Sequence, residues 1–181
     1  DGTIHRLPQP FFVMATQNPV EFLGTYPLPE AQMDRFMMRL SIGYPDREQE
    51  IRMASQFLQG QTLSHTEAVC ETRDIDAMKK EVSQVCVRDS VLGYIEDLIE
   101  ATRAEQRFVL GASPRAMLAL VCASQAKAFL QNRDYVKPDD VKAVAMQVLG
   151  HRLVLSPEAK IHREDRDKIL KSLVLKIKIP V

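Results

Sequence analysis

From Asp46 to its C-terminus the chain repeats its apolar residues at helical spacing, and that periodicity bounds what it can fold into. Val91, Tyr94, Ile95, Leu98, Ile99 and Thr102 fall on one face of a 3.6-residue period. Around that stripe the sequence predicts further helices. Asp46 and Gln49 resemble a capping box ahead of a helix that runs to about Leu58 and ends at Gly60. Another spans roughly Asp74 to Gln84. Ser113 and Pro114 open one that buries Met117, Leu120, Val121 and Ala128, because Ser is a good N-cap and Pro fits the first helical position. Pro138 opens the next, carrying Val141, Val144, Ala145 and Val148, and a last helix covers Asp165 to Leu175. The short apolar pieces Val85–Val87, Tyr135-Val136 and Leu153–Leu155 could pair as a small sheet. Residues 45–181 read as one helical domain without an internal repeat.

Residues 1–44 read differently. Phe11 to Ala15 form a continuous apolar run, the pattern of a strand buried on both faces, and it ends in the polar tip Thr16-Gln17-Asn18 before Pro19. Pro29 suits the first turn of a short helix, and Met37 to Ile42 suit a second strand. Gly43-Tyr44-Pro45 then breaks the pattern. Two strands and one short helix cannot form a stable parallel sheet, so this part is expected to be strained, rearranged or covered. The expectation is a mainly α chain: a two-strand, one-helix remnant of an α/β core followed by a helical domain.

Composition narrows the function classes. The 24 basic and 24 acidic residues balance, which argues against the basic face of a general nucleic-acid binder without excluding a local patch. Cys70, Cys86 and Cys122 form no CxxC pair, so zinc or redox chemistry is not indicated, and buried free thiols in a reducing cytoplasm are the expected state. No uncharged run approaches the roughly 20 residues of a membrane helix, and no secretion signal opens the chain. There is no G-x-x-x-x-G-K-[ST], so no loop of backbone N–H groups can cradle nucleotide phosphates, and no apolar strand ends in paired acids that could hold magnesium.

Four residues stand out chemically. Asn18 sits at the carboxyl end of the apolar run, where open α/β sheets place ligand chemistry; its amide could orient an attacking water, or Asn18-Pro19 could simply start a turn. Arg35, beside Asp34, is either half of a surface ion pair or a guanidinium able to fork onto phosphate oxygens; Arg39 is its nearby competitor. Arg115 lies in the first turn of its helix, where a cation opposes the dipole at a cost of about 0.3–1 kcal/mol. That site is poor for stability and good for binding an anion, unless the side chain merely faces solvent. Tyr44 joins the two parts and could touch an adenine ring or serve as a hinge. The four histidines show no ligand spacing.

Read together, Ala15-Thr16-Gln17-Asn18-Pro19 and Gly24-Thr25-Tyr26-Pro27-Leu28-Pro29-Glu30-Ala31-Gln32-Met33-Asp34-Arg35-Phe36 are similar to the sensor 1 and arginine-finger segments of AAA+ ATPases, in wording close to the bacterial MoxR branch. Thr102-Arg103, Gly111-Ala112-Ser113-Pro114-Arg115-Ala116 and Tyr135 to Val141 also recur in that family, as does His151-Arg152, for which the sequence offers no physical account. The likeness covers almost the whole chain and thins at residues 60–85. It implies that Asn18 is sensor 1, Arg35 the arginine finger and Arg115 sensor 2. It also implies that residues 1–44 belong to the AAA+ core and 45–181 to the lid. The family's members are ATP-driven, chaperone-like machines that form hexameric rings and commonly work with a von Willebrand factor A-type partner. The chain begins at Asp1 without an initiator Met and has no phosphate loop, so the expectation is the C-terminal part of a longer ATPase. ATP and Mg2+ would be bound by the full-length protein, with none bound to this part and no turnover by it alone. Two other classes stay open: a helical DNA-binding or replication-type lid module, and a non-catalytic adaptor.

Overall fold

The structure, a computed structural model, describes residues 2–17, 28–60 and 67–179. Eight helices and two short strands follow one another among these residues. They are α1 (Glu30–Met33), α2 (Arg47–Leu58), α3 (Thr72–Gln84), α4 (Asp89–Ala104), β1 (Phe108–Leu110), α5 (Pro114–Phe129), α6 (Pro138–Leu149), β2 (Val154–Leu155), α7 (Pro157–Ile161) and α8 (Arg166–Lys176). The mainly α class follows the periodicity.

The helix starts are set by local chemistry. The Asp46 carboxylate accepts the Gln49 N–H at 2.8 Å while the Gln49 side chain accepts the Asp46 N–H at 3.1 Å, the expected capping box. Ser113 caps α5 by accepting the Ala116 N–H at 3.2 Å, with Pro114 in the first turn. Asp165 caps α8 through the N–H groups of Asp167 and Lys168. α7 was not anticipated, although Ser156 and Pro157 repeat the start signal of α5; five residues are too few for a periodicity to register.

The core is gathered by α4. All six residues of its stripe are buried, and Leu98 and Ile99 meet Leu120, Val141, Ala145, Val148, Leu149 and Leu170 from α5, α6 and α8 in one cluster. Each such aliphatic side chain removed from water contributes roughly 1.5–3 kcal/mol. α3 packs on α5 and contributes no buried residue, and α2 buries none either.

The expected small sheet forms as two separate pieces. β1 and β2 pair antiparallel, Phe108 opposite Leu155. Cys86 makes an isolated parallel bridge to Tyr135, its N–H donating to the Asp134 carbonyl at 2.8 Å.

Three expectations are corrected. Phe11–Ala15 and Met37–Ile42 are not strands; they lie without regular structure, with Phe12, Met14, Leu40 and Ile42 exposed. A strand needs a neighbour for its alternate N–H and C=O groups, and neither segment has one among the described residues. The cysteines are free but exposed, not buried. Cys86 follows the buried Val85 on an extended segment and so faces the other way, and Cys122 lies off the face of α5 that buries Leu120, Ala123 and Ser124.

Candidate functional site

The segment after α1 is where distant parts of the chain converge, and Asp34 is its centre. α1 has four residues, far too few to stand as a helix by itself. What orients it is a set of contacts to the helical body. The Asp34 carboxylate accepts a hydrogen bond from the Ser113 hydroxyl at 3.0 Å on one oxygen and pairs with Arg115 Nη1 at 3.2 Å on the other. Arg152 Nε approaches the first oxygen at 3.2 Å. Arg152 then spreads its remaining donors over backbone carbonyls: Nη2 to Phe36 at 2.7 Å and to Asp34 at 3.3 Å, Nη1 to Val148 at 2.7 Å.

Arg152 is the buried member of this group, with 2% of its side chain exposed against 23% for Asp34 and 55% for Arg115. Burial lowers its pKa from the ordinary arginine value and Asp34 opposes that shift; the guanidinium stays charged in any case. A charge so enclosed needs a counter-charge and filled donors, and Asp34 with three carbonyls supplies both.

His151, also buried, holds the same segment. Its Nε2 lies 3.0 Å from the Phe36 carbonyl, and a carbonyl only accepts, so Nε2 carries the proton. Nδ1 is buried and has no hydrogen-bond partner among the described residues. Burial pushes the His151 pKa below its ordinary value, the charges of Arg152 and Arg39 add to this, and the bond to Phe36 opposes it. Beyond Phe36, Arg39 donates its N–H to the Gln147 carbonyl at 2.9 Å and pairs with Asp167 of α8 at 3.3 Å.

The loop that carries Ser113 and Arg115 is itself seated on α4. The Thr102 hydroxyl accepts the Ala112 N–H at 2.9 Å, and Arg103 Nε donates to the Ala112 carbonyl at 2.9 Å. At Gly111 the backbones approach so closely that a Cβ would stand 2.7 Å from Arg103 Cα. Thr102-Arg103 and Gly111–Ala116, separate motifs in sequence, are thus one joint.

The four candidates fare differently. Asn18 lies outside the described residues. Arg35, between the gripped carbonyls of Asp34 and Phe36, is exposed, and no described residue pairs with its side chain. Arg115 is held by Asp34. Tyr44 is 95% exposed, and no contact brings it to the other candidates. Arg35 and Arg115 are therefore brought together through Asp34, and Tyr44 stays apart. Arg39, the competitor, is occupied by Asp167. The sequence reading missed Asp34 and Arg152 as the organising pair. The available signal was position: His151 and Arg152 follow the end of α6, where cations are favourable, and precede the buried Leu153.

Arg115 is half-exposed and already holds a carboxylate oxygen, an anion that makes demands on a guanidinium similar to those of a phosphate oxygen. A groove of about 510 Å³ lined by Glu81, Gln84, Phe129 and Arg133 contains none of the candidates. Among the described residues no three His, Cys, Asp or Glu side chains gather as a metal would require, and no helix is long and apolar enough to cross a membrane.

Residues 100–173 match the family model described as the AAA lid domain, and residues 1–38 match that of the ATPase family associated with various cellular activities. The chain belongs to the MoxR family of AAA+ ATPases. It is 34% identical to the chaperone MoxR1 of Mycobacterium tuberculosis, over 99% of this chain and 49% of that protein. It is 42% identical to YeaC of Bacillus subtilis, which is uncharacterized, over 100% of this chain and 57% of that one. A solved structure from Cytophaga hutchinsonii, of a protein assigned as an ATPase, superposes with a TM-score of 0.87 at 36% identity, covering 98% of this chain and 56% of that one. The chain spans about half the length of the curated relatives it matches.

Proposed function

We propose that this chain is the sensor and lid portion of a MoxR-type ATPase, with residues 1–44 belonging to the nucleotide-binding core and 45–181 forming the lid. In that protein ATP is held by a phosphate loop and Mg2+ by acidic residues at a strand end, and these residues contain neither. Arg35 serves as the arginine finger of a ring, reaching the nucleotide of the neighbouring subunit. There its charge stabilises the developing negative charge on the transferred phosphoryl group. Arg115 serves as sensor 2 on the nucleotide of its own subunit, and Asn18 as sensor 1, positioning the attacking water. Tyr44 is a hinge between core and lid. The observation that carries the reading is the Asp34 junction. It engages Arg115 and grips the backbone around Arg35, while no described residue pairs with the Arg35 side chain.

The ring, a hexamer, couples hydrolysis to chaperone-like work on client proteins in the cytoplasm, alongside a von Willebrand factor A-type partner. Support for the chaperone role is the name of the M. tuberculosis relative. The test is made in the full-length protein. Arg35→Ala should keep ATP binding and lose most turnover. Mixing it with a phosphate-loop variant should restore activity, because each subunit supplies what its neighbour lacks. Lost ATP binding with no recovery in the mixture would place Arg35 in its own subunit's site or in structure.

A further inference from the structure

We infer that Arg152 is the positioning residue of the arginine finger: it sets the direction of Arg35 without approaching the nucleotide. This deepens the reading of Arg35 given above and rests on it. α1 is too short to hold its own direction, so whatever follows it points where tertiary contacts put it. Those contacts are concentrated in one side chain. A single guanidinium takes the carboxylate of Asp34 at 3.2 Å and the carbonyls of Asp34 and Phe36 at 3.3 and 2.7 Å. The two carbonyls bracket Arg35: the peptide unit before it and the one after Phe36 are tied to one rigid, planar group, and the Phe36 N–H between them donates to the Met33 carbonyl. The guanidinium is fixed in turn by the Val148 carbonyl in the last turn of α6. Only arginine has a flat fork of five donors that can serve a carboxylate and three carbonyls at once; lysine carries a comparable charge on a single nitrogen. His151 adds one bond to Phe36 from the adjacent position and is the auxiliary member of the grip.

A finger must place its charge within a fraction of an ångström of where charge develops, and small misplacements of catalytic groups cost large factors in rate. Loosening the grip should therefore leave nucleotide binding intact and reduce turnover, and the defect should belong to the subunit that donates the finger.

The experiment is a complementation assay in the full-length protein. Arg152→Gln should reduce turnover at least tenfold with ATP affinity within twofold of the parent. Mixed with a phosphate-loop variant, whose fingers are intact, it should recover activity. Mixed with Arg35→Ala it should not, since neither then supplies a working finger. Arg152→Lys, which keeps the charge and loses the fork, should show the same pattern in milder form, and it decides the matter if Arg152→Gln does not fold. In the 181-residue chain, Arg152→Lys should speed amide exchange at Gln32–Arg39 while leaving α4 unchanged. Unchanged turnover, ATP binding lost in parallel with turnover, or recovery on mixing with Arg35→Ala would each overturn the inference. If Arg35→Ala by itself leaves turnover unchanged, the finger assignment falls first, and that outcome is distinct from a failure at Arg152 alone.

Discussion

Arg115 and Asp34 meet at 3.2 Å across 81 residues of sequence, joining the first turn of α5 to the segment just after α1. Arg115 is half-exposed, so the pair is screened, and such pairs contribute about 0–1 kcal/mol. The same arginine opposes the dipole of α5 by about 0.3–1 kcal/mol. The two terms nearly cancel. Arg115→Ala should change the stability of this chain by less than about 1 kcal/mol, checked by urea unfolding. In the full-length protein the same substitution should weaken ATP binding more than tenfold, as expected for loss of a charged phosphate contact of about 1.4 kcal/mol or more. A destabilised chain with unchanged ATP affinity would make Arg115 structural.

Asp34→Ala should be much worse than Arg115→Ala. It removes the counter-charge of a buried guanidinium, and an uncompensated buried charge is the costly half of a broken pair. The three carbonyls still satisfy some of the Arg152 donors, so the expected loss is about 1–3 kcal/mol. Combining Asp34→Ala with Arg152→Met should recover part of that loss, because the stranded charge is gone. Additive losses in the double variant would show that the two residues are not coupled.

Gly111→Ala should destabilise by about 1–3 kcal/mol or more. The new Cβ would stand 2.7 and 2.8 Å from the Arg103 Cα and N, which are helix backbone and cannot swing aside. Thermal unfolding measures the loss. A variant as stable as the parent would mean that the loop is not seated on α4 as described.

Acid should destabilise the fold through His151, because protonation places a charge on a buried ring beside Arg152 and Arg39. The unfolded chain titrates this histidine near its ordinary value of about 6.5, and in the fold burial puts it lower. Between the two values the unfolded state binds a proton that the folded state refuses, so this contribution is complete above about 6.5 and is lost as pH falls. Asp140 and Glu105 do not confuse the window. Burial raises Asp140, but Arg133 and the Lys137 N–H hold it below the usual value, and Arg107 holds Glu105 low. Their contributions are present above the ordinary carboxylate values and are lost only as pH falls through that range. Urea midpoints at pH 7.5 and 5.0 should therefore fall less in His151→Gln than in the parent. Equal slopes would remove His151 from the account.

The helices were legible because their signals are local. The α4 stripe, the Asp46–Gln49 box and the Ser113-Pro114 start each lie within a few residues, where a 3.6-residue period or a cap can be recognised. β1 escaped because Val109 and Leu110 are exposed, so no alternation marks it. Phe11–Ala15 misled because an apolar run is a statement about a strand in company, and the company lies in no described residue. At the site, Arg115 was readable from its awkward place in a helix dipole. Asp34 and Arg152 were not, since the contact that defines them spans 118 residues, and the separation says nothing about charge pairing. Asn18 falls outside the described residues, so its role rests on resemblance alone.

The pairing of Arg39 with Asp167 bears on the order in which the molecule becomes competent. Asp167 lies in α8, 128 residues beyond Arg39, and α8 also contributes Ile169, Leu170 and Val174 to the core. Ribosomal synthesis delivers the Asp34–Arg39 segment early and its holders, α6, His151-Arg152 and α8, late. A nascent chain can expose Arg35 long before anything aims it. Docking of α8 therefore does two things at once: it completes the apolar core, and it brings up the carboxylate that holds Arg39, so the segment after α1 is braced only once the helical body has closed.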